Sequence, residues 1–296
     1  MDRRQWGRAA VALAVAGPVA RALAWDESAQ KSWAEAWRTI ESSVGGRLGV
    51  AVLDSATGAL VGQRLDERFP MCSTFKALVA AQVLARVDAG QEHLDRRIPI
   101  APADLLEWAP TTARQVGTAM SVADLCEAAI TVSDNTAANL LLASVGGPAA
   151  VTAFARRLGD EATRLDRTEP TLNEALPGDP RDTTTPRAMA ATLRTLMLGD
   201  ALSPAGRSRL VAWMTANQTG DKRLRAGLPH DWRVADKTGT GSRGATNDMG
   251  LLWPPRRAPL VVVAYLADCQ APSEARERAL ADVARAIAAR GWAPAA

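Results

Sequence analysis

The tetrapeptide Ser73-Thr74-Phe75-Lys76 sets a hydroxyl and an amine three residues apart, just before a helix-forming apolar run at residues 77–81. Positions i and i+3 are neighbours on a helix surface, and the N–H groups of a helix N-terminus attract negative charge. A serine placed here has a group that can manage its proton and dipoles that can stabilise an oxyanion, as a nucleophile requires. The spacing alone is weak evidence, because serine often caps helices and lysine is common on exposed helix faces.

Ser133-Asp134-Asn135 is a second polar cluster, and it follows the helix-like segment Val122 to Val132. All three residue types favour caps and turns, so one interpretation is a polar connection between two helices. In the functional interpretation, the Ser133 hydroxyl shuttles a proton and the Asn135 amide binds a substrate carbonyl.

Lys237-Thr238-Gly239-Thr240-Gly241 ends a predicted strand. Small residues on a strand edge let a ligand lie along the backbone, beside a lysine that attracts a carboxylate. The structural alternative is a glycine-rich hairpin turn with solvated polar residues.

In this order, S-x-x-K, S-D-N and K-T-G resemble the signature of class A β-lactamases and penicillin-binding proteins, and the resemblance covers essentially the whole mature chain. Glu169-Pro170-Thr171-Leu172-Asn173 is similar to the E-x-x-L-N segment of class A enzymes, in which a carboxylate and an amide hold a hydrolytic water. Transpeptidases generally lack this pair. The chain is therefore identified as a member of the class A serine β-lactamases, ahead of a D-alanyl-D-alanine peptidase or a non-catalytic β-lactam-binding module.

The resemblance implies acyl transfer to water. Ser73 would attack the lactam carbonyl, and its proton would pass to Lys76 or, through a water, to Glu169. Ser133 would return a proton to the leaving nitrogen. Glu169 with Asn173 would then activate the deacylating water.

Two further residue pairs have implied roles. The backbone N–H groups of Ser73 and Thr240 would form the oxyanion hole. Arg167 and Asp182 match an ion pair that closes the neck of the loop carrying the E-x-x-L-N segment, whereas two solvated loop charges would add almost nothing to stability. In the family a cis peptide bond occurs at the point that corresponds to Glu169-Pro170.

The other implied residues concern the substrate. Lys237, Thr238 and Arg223 would hold its carboxylate, with Arg223 supplying the guanidinium that many relatives carry where this chain has Thr246. Trp108 corresponds to an aromatic residue at the cleft entrance, although a surface-anchored core tryptophan is the commoner case in proteins generally. The implied substrate-binding residues are Trp108, Asn135, Arg223, Lys237, Thr238, Gly239 and Thr240.

The sequence offers little to a metal or a cofactor, and none is predicted. Its two histidines, His93 and His230, are far apart, and its three cysteines form no C-x-x-C.

Neither of two disulfides found in the family is complete. Cys72 has Gly241 at the partner position, and Cys126 has Ala80. The first of these disulfides is frequent in carbapenem-hydrolysing members, so the sequence leaves the substrate spectrum open.

The pattern of elements predicts an α/β two-lobe fold like that of β-lactamases and transpeptidases. Five strands would form an antiparallel sheet flanked by the two terminal helices, and an all-helical lobe would occupy the middle of the chain. The sheet lobe would comprise residues 25–66 and 213–296, and the helical lobe residues 67–212. The predicted helices and strands outside the middle are Asp26 to Ser43, Arg47 to Leu53, Ala59 to Gln63, Trp232 to Thr238, Thr246 to Trp253, Leu260 to Ala267 and Ser273 to Arg290.

Residues 1–24 are predicted to be a cleavable leader, since basic residues, an apolar run and an A-x-A-like site occur in that order. Arg3-Arg4 favours the twin-arginine route over the Sec route, and either route predicts a periplasmic location. The leader contains four arginines and one aspartate, so the 35 basic and 32 acidic residues of the chain fall to 31 of each without it. A neutral mature chain argues against nucleic-acid binding. We expect a monomer whose partners are β-lactam substrates and inhibitors, with no stable membrane association after processing.

Overall fold

The computed structural model describes residues 27–289. Its helices are α1 Glu27–Val44, α2 Phe75–Asp88, α3 Val122–Thr131, α4 Asn135–Val145, α5 Pro148–Arg157, α6 Pro186–Met197, α7 Pro204–Thr215 and α8 Ser273–Ala289. Its strands are β1 Arg47–Asp54, β2 Leu60–Gln63, β3 Phe69–Pro70, β4 Arg97–Pro99, β5 Ala119–Ser121, β6 Thr183–Thr184, β7 Arg233–Thr240, β8 Thr246–Trp253 and β9 Leu260–Ala267. The leader predicted for residues 1–24 lies outside the described residues.

Five strands form one antiparallel sheet in the order β2-β1-β9-β8-β7. The central strand β9 is an unbroken apolar run, and all eight of its residues are buried because both faces of the sheet are covered. β7 is at one edge, so its outer side has no strand neighbour. The K-T-G motif lies on that edge strand.

The sheet separates two hydrophobic cores. Successive side chains of a strand point to opposite faces, and in β1 Val50 belongs to one core while Ala51 belongs to the other. The first core is closed by α1 and α8, where Trp33 and Trp37 stack with ring centroids 5.0 Å apart. The second core joins the sheet to α2 and the other helices of the middle segment.

Helix α2 is the centre of the helical part of the chain. Its first ten residues, Phe75 to Leu84, are all buried, which is the property of a helix surrounded by others. Lys76 is therefore in the interior of the protein. Among the described residues no single helix is long and apolar enough to cross a membrane; α4 and α5, bent by 70° at their junction, meet that test only as a pair, on length and composition alone.

The predicted fold class is confirmed, with two differences in detail. The strand predicted to end at Thr238 continues to Thr240, so the K-T-G motif lies inside a strand and the glycine-rich hairpin alternative is wrong. The middle segment is not entirely helical, because β3 pairs with β6 and β4 pairs with β5. Those strands have two or three residues each, too few to show a two-residue period in the sequence.

Candidate active site

Ser73 lies in a single 3₁₀ turn, Cys72–Thr74, between β3 and α2. Asn247 of β8 holds the chain just before this turn in place, because its side-chain amide donates to the carbonyls of Pro70 (2.8 Å) and Met71 (3.0 Å). Strand β7 also approaches closely, and a side chain at Gly239 would come within 2.7 Å of the Met71 carbonyl oxygen. Glycine at position 239 is therefore what brings the edge strand against the serine.

A carboxylate and an ammonium group meet at the Ser73 hydroxyl. Ser73 Oγ donates to Glu169 Oε1 at 3.1 Å, and Lys76 Nζ lies 3.0 Å from the same oxygen. Both charged side chains have no exposed surface. Burial lowers the pKa of Lys76, and the carboxylate of Glu169 opposes that shift.

Ser133 connects the two buried lysines of the site. Its hydroxyl lies 3.3 Å from Lys76 Nζ and 3.1 Å from Lys237 Nζ. The backbone of Ser133 is in the left-handed region, with φ of 58°. Its neighbour Asp134 is the N-cap of α4 and accepts from the amide of Ala137 at 2.9 Å. The S-D-N motif thus includes a helix cap and a hydroxyl within reach of both amines.

Lys237 is the more isolated of these two lysines. It is fully buried and donates to the Thr238 carbonyl at 2.9 Å as well as to Ser133. Burial lowers the pKa of Lys237 well below its ordinary value, and the positive charge of Lys76 lowers it further.

Glu169 is held at both its backbone and its side chain. The side-chain amide of Asn173 donates to Glu169 Oε2 at 2.5 Å. Asn139 of α4 accepts from the backbone N–H of Glu169 at 3.0 Å and donates to its carbonyl at 2.9 Å. The Glu169-Pro170 peptide bond is cis. The role of Asn139 was missed in the sequence, where the only hint was an asparagine inside a helix that it does not favour.

Arg167 and Asp182 form an ion pair at the neck of this loop, 2.6 Å between Nε and Oδ2. The carboxylate is 1% exposed and also accepts from the backbone N–H groups of Asp166 and Arg167. The Asp182 carboxylate is therefore buried and has three donors, unlike the carboxylate of a solvated surface ion pair.

The guanidinium of Arg223 reaches the end of the K-T-G strand. It donates to the carbonyls of Gly239 (2.8 Å) and Asn247 (2.7 Å), and to Thr240 Oγ1 (2.7 Å). Burial lowers the pKa of Arg223, and the carboxyl of Asp248 is the main opposing influence. On β8, Thr246 pairs with Thr240, so positions 223 and 246 approach the same residue from two directions.

An open cleft of about 480 Å³ joins these groups. Trp108 stands at its rim with 55% of its surface exposed and its indole N–H bonded to the Val132 carbonyl, so it is not a core tryptophan. Lys76, Glu169 and Lys237 lie directly behind the cleft wall. The residues that line the cleft are Ser73, Trp108, Ser133, Asn135, Asn173, Thr219, Arg223, Thr238, Gly239 and Thr240.

Comparison with known proteins adds an independent line of evidence. A model of the β-lactamase enzyme family matches residues 32–290. The β-lactamase L2 of Stenotrophomonas maltophilia is 53% identical over 247 residues, 83% of this chain and 82% of that protein. The β-lactamase CTX-M-8 of Citrobacter amalonaticus is 50% identical over 248 residues, 84% and 85% of the two chains. An ancestral class A β-lactamase of known structure is 65% identical, with a TM-score of 0.87 over 87% of this chain and 99% of that one. The chain belongs to the class A β-lactamases.

As a class A β-lactamase it is a hydrolase of β-lactams, the activity through which such enzymes confer antibiotic resistance. The family identification made from the sequence is confirmed.

The three cysteines of this β-lactamase are buried and free. Burial raises the pKa of Cys72 to about 12. A side chain at Gly241 would begin 2.6 Å from Cys72 Sγ, so the two positions face each other as the family comparison implied. Among residues 27–289, no group of three or more His, Cys, Asp or Glu side chains could hold a metal ion.

Proposed function

We propose that this β-lactamase hydrolyses its substrates through an acyl-enzyme on Ser73 and a water activated by Glu169. The observation that carries the proposal is the contact of Ser73 Oγ and Lys76 Nζ with one oxygen of Glu169, while Asn173 binds the other oxygen. A carboxylate held in this way has a water-binding amide beside it and a nucleophile in front of it.

Lys76 is best described as an ammonium in the resting enzyme. Its Nζ lies 2.8 Å from the Ser133 carbonyl, 2.6 Å from Asn135 Oδ1 and 3.0 Å from Glu169 Oε1. These three contacts are shorter than the one to the Ser133 hydroxyl at 3.3 Å, and they match the three protons of a charged amine. The proton of Ser73 therefore goes to Glu169, to which the hydroxyl is already bonded, directly or through a water.

In acylation, a bond forms between Ser73 Oγ and the lactam carbonyl carbon, and the lactam C–N bond breaks. Ser133 gives its proton to the leaving nitrogen and is reprotonated by Lys76, which in turn takes from Glu169 the proton that came from Ser73, so that Glu169 is again a carboxylate. Backbone N–H groups of Ser73 and Thr240 bind the oxyanion, an interaction worth about 3 kcal/mol per donor in acyl transfer. The approach of β7 at Gly239 supports this pairing, because it brings the strand to the serine turn.

In deacylation, Glu169 takes a proton from a water held with Asn173, and the water oxygen bonds to the acyl carbon. The ester bond to Ser73 breaks, and Glu169 returns the proton to the serine oxygen. Lys237, Thr238 and Arg223 hold the substrate carboxylate. Asn135 binds the side-chain amide, and Trp108 borders the entrance.

Glu169→Gln tests the proposal because it retains the shape of the carboxylate and removes its basicity. We expect mass spectrometry after brief exposure to benzylpenicillin to find one drug mass on the peptide that contains Ser73. Glu174→Gln is the matched control, since Glu174 is a half-exposed residue of the same loop that pairs with Arg167.

Steady-state turnover by the Glu169→Gln enzyme would contradict the assignment. Incubation of the wild-type enzyme with a chromogenic cephalosporin distinguishes the three alternative functions. Continuous turnover supports a hydrolase, a stoichiometric burst indicates a D-alanyl-D-alanine peptidase, and no reaction indicates a binding module.

We further propose export to the periplasm by the twin-arginine route, supported by Arg3-Arg4 before a short, moderately apolar run that contains Gly17 and Pro18. Replacing Arg3 and Arg4 together by Lys preserves the charge, which a Sec signal tolerates. We expect active enzyme to remain inside the cells and resistance to be lost. Undiminished periplasmic activity, or export in a host without the twin-arginine translocase, would indicate the Sec route.

A further inference from the structure

Two carboxyl groups that the mechanism does not use lie behind the K-T-G strand. Asp236 precedes Lys237 on β7, and Asp248 on β8 is paired in register with Thr238. Both side chains are completely buried. Asp236 is paired with Gly250, two residues along β8 from Asp248, so the two carboxyl groups are diagonal neighbours on one face of the sheet.

The two carboxyl groups differ in the donors around them. Asp236 accepts from Arg225 Nε at 2.6 Å and from the Asn217 amide at 2.5 Å, so both of its oxygens have a donor. Asp248 Oδ2 accepts from the backbone N–H of Leu224 at 3.1 Å. Asp248 Oδ1 is buried and has no hydrogen-bond donor.

A buried oxygen without a donor destabilises a carboxylate, because the charge has lost its hydrogen bonds to water and gained none from the protein. The same oxygen is satisfied if it carries a proton, because a carboxylic acid is itself a donor. Asp236, ionised against Arg225, is the acceptor within reach. Burial raises the pKa of Asp248 well above its ordinary value, and the charge of Asp236 raises it further.

We propose that Asp248 is a neutral carboxylic acid in the working enzyme, that it donates a hydrogen bond to Asp236, and that it thereby leaves the charge of Arg223 available to the substrate carboxylate. Asp248 is thus a positioning residue. The last part of the proposal rests on the function proposed above for Arg223.

The charges around Asp248 support this arrangement. From the segment after α7, Arg225 neutralises Asp236, and Arg223 faces Asp248. An ionised Asp248 would face Arg223 at low dielectric and reduce its attraction for a second anion. From α8, Glu277 approaches Arg223 only to 3.9 Å.

From β7, Lys237 also faces the pair, and its positive charge is on the cleft side of Asp236. With Asp248 neutral, the charges of Arg223 and Lys237 are both directed at the same end of the cleft.

A chain of hydrogen bonds connects the aspartates to the cleft. Asn217, which donates to Asp236, accepts from the Thr219 hydroxyl at 2.8 Å, and that hydroxyl also contacts Thr238 Oγ1. Gly220 permits the close approach, since a side chain there would begin 2.0 Å from Asp236 Oδ2. The protonation of the pair is therefore linked to two residues of the cleft wall, Thr219 and Thr238.

Carbon-13 NMR of aspartate side chains tests the protonation directly in the full mature enzyme. With Asp248→Asn used for assignment, we expect one buried aspartyl carboxyl carbon with the chemical shift of the acid at pH 7, assigned to Asp248. Two ionised carboxylates at pH 7 would overturn the proposal.

Kinetics and stability test its consequence. Asn resembles a neutral acid that donates to Asp236, so we expect Asp248→Asn to keep the KM for benzylpenicillin within about twofold, while Asp248→Ala raises it. If Asp248 were ionised, removing an anion that faces Arg223 would lower the KM of the Asn variant several-fold. That result would also overturn the proposal.

The matched control is Asp160→Asn. Asp160 is 5% exposed and accepts from the backbone and hydroxyl of Thr163 and from the Thr192 hydroxyl, so its carboxylate has its donors. We expect Asp160→Asn to lower the melting temperature. Asp248→Asn should leave the melting temperature unchanged at acidic pH and raise it as the pH increases, because the raised pKa of Asp248 costs the wild type stability there.

The two proposals fail separately. If Asp248 is protonated but Arg223→Ala leaves the KM unchanged, the protonation of Asp248 stands and the proposed role of Arg223 is wrong. If both aspartates are ionised but Arg223→Ala raises the KM, the role of Arg223 stands and the proposed protonation is wrong.

Discussion

The two sides of Ser133 present a lysine each, in opposite electrostatic settings. On the side of α2, Lys76 has a carboxylate oxygen of Glu169 at 3.0 Å. On the side of the sheet, Lys237 has a hydroxyl and a carbonyl as its hydrogen-bond acceptors, and no ion pair joins it to a residue of the described chain. In the proposed mechanism, one cation is neutralised by the group that activates water, and the other is left uncompensated where the substrate would bring a carboxylate.

The charges next to the two lysines have opposite effects on their pKa values. Burial lowers the pKa of both lysines, but Glu169 opposes the shift at Lys76, whereas the neighbouring charge of Lys76 adds to it at Lys237. Lys237 therefore carries an electrostatic cost that an anion bound beside it would relieve.

Lys76→Met gives the largest expected effect. Loss of a group that organises proton transfer should lower kcat by about 10²–10⁴-fold. It also leaves Glu169 as a buried, unpaired charge, so we expect a loss of about 3–5 kcal/mol in the free energy of unfolding. Stopped-flow acylation and urea denaturation measure the two effects. A variant with normal kcat would show that the pair at Glu169 is structural only.

Lys237→Met should have a smaller effect on catalysis and the opposite effect on stability. A hydrogen bond to a charged group is worth about 1.5–3 kcal/mol, which corresponds to about 10–150-fold in kcat/KM for a carboxylate-bearing substrate. Since folding lowers the pKa of Lys237, the wild type loses stability as the pH falls from the ordinary lysine value of 10.5 to that lowered value. The variant should therefore melt at a higher temperature than the wild type, with a gap that disappears above the ordinary lysine pKa.

The lowered pKa of Lys237 predicts an alkaline limb in the wild-type pH profile. As the pH is raised, Lys237 should lose its proton before pH 10.5 is reached, and the KM for benzylpenicillin should increase over that range. A β-lactam ester without the carboxylate should not show this increase. An alkaline limb that appears only in kcat would mean that the titrating group is Lys76 and not Lys237.

Arg223→Ala should have the smallest effect of the three substitutions, about tenfold in KM for penicillins, because Lys237 remains. Thr246→Arg in the same variant should restore most of the loss, since β8 pairs Thr246 with Thr240, the residue that Arg223 contacts. Steady-state kinetics with a clavulanate-type inhibitor gives a second readout. Failure of the rescue in a folded double variant would mean that the two positions do not share a ligand.

The sequence was sufficient for those parts of the site that depend on local spacing. Ser73, Lys76 and Ser133 belong to short motifs, and the strands and terminal helices follow periodic patterns several residues long. Residues whose roles depend on distant approaches were missed, among them Asn139 against the Glu169 backbone and Asn247 beneath the serine turn. The spacing of 30 and about 176 residues in these contacts leaves no trace in a local pattern.

Arg223 lies between these cases. The family comparison selected it, but its position depends on carbonyls of β7 and β8 that only the assembled sheet supplies. The aspartate pair behind it is a further example, because an aspartate within an apolar strand indicates a partner without identifying it.

The central strand β9 also determines how the molecule comes apart. Because the eight buried residues of β9 contribute to both cores, neither core can open without exposing apolar surface of the other. The cleft also takes its residues from strands and helices on both sides of the sheet. Local openings that spare β9 should leave most of the fold intact, whereas exchange of the β9 amides with solvent deuterium requires the global transition. Catalytic activity is then a reporter of the whole cooperative unit. In denaturant it should vanish together with the change in tryptophan fluorescence, to which Trp33 and Trp37 contribute from the far face of the sheet.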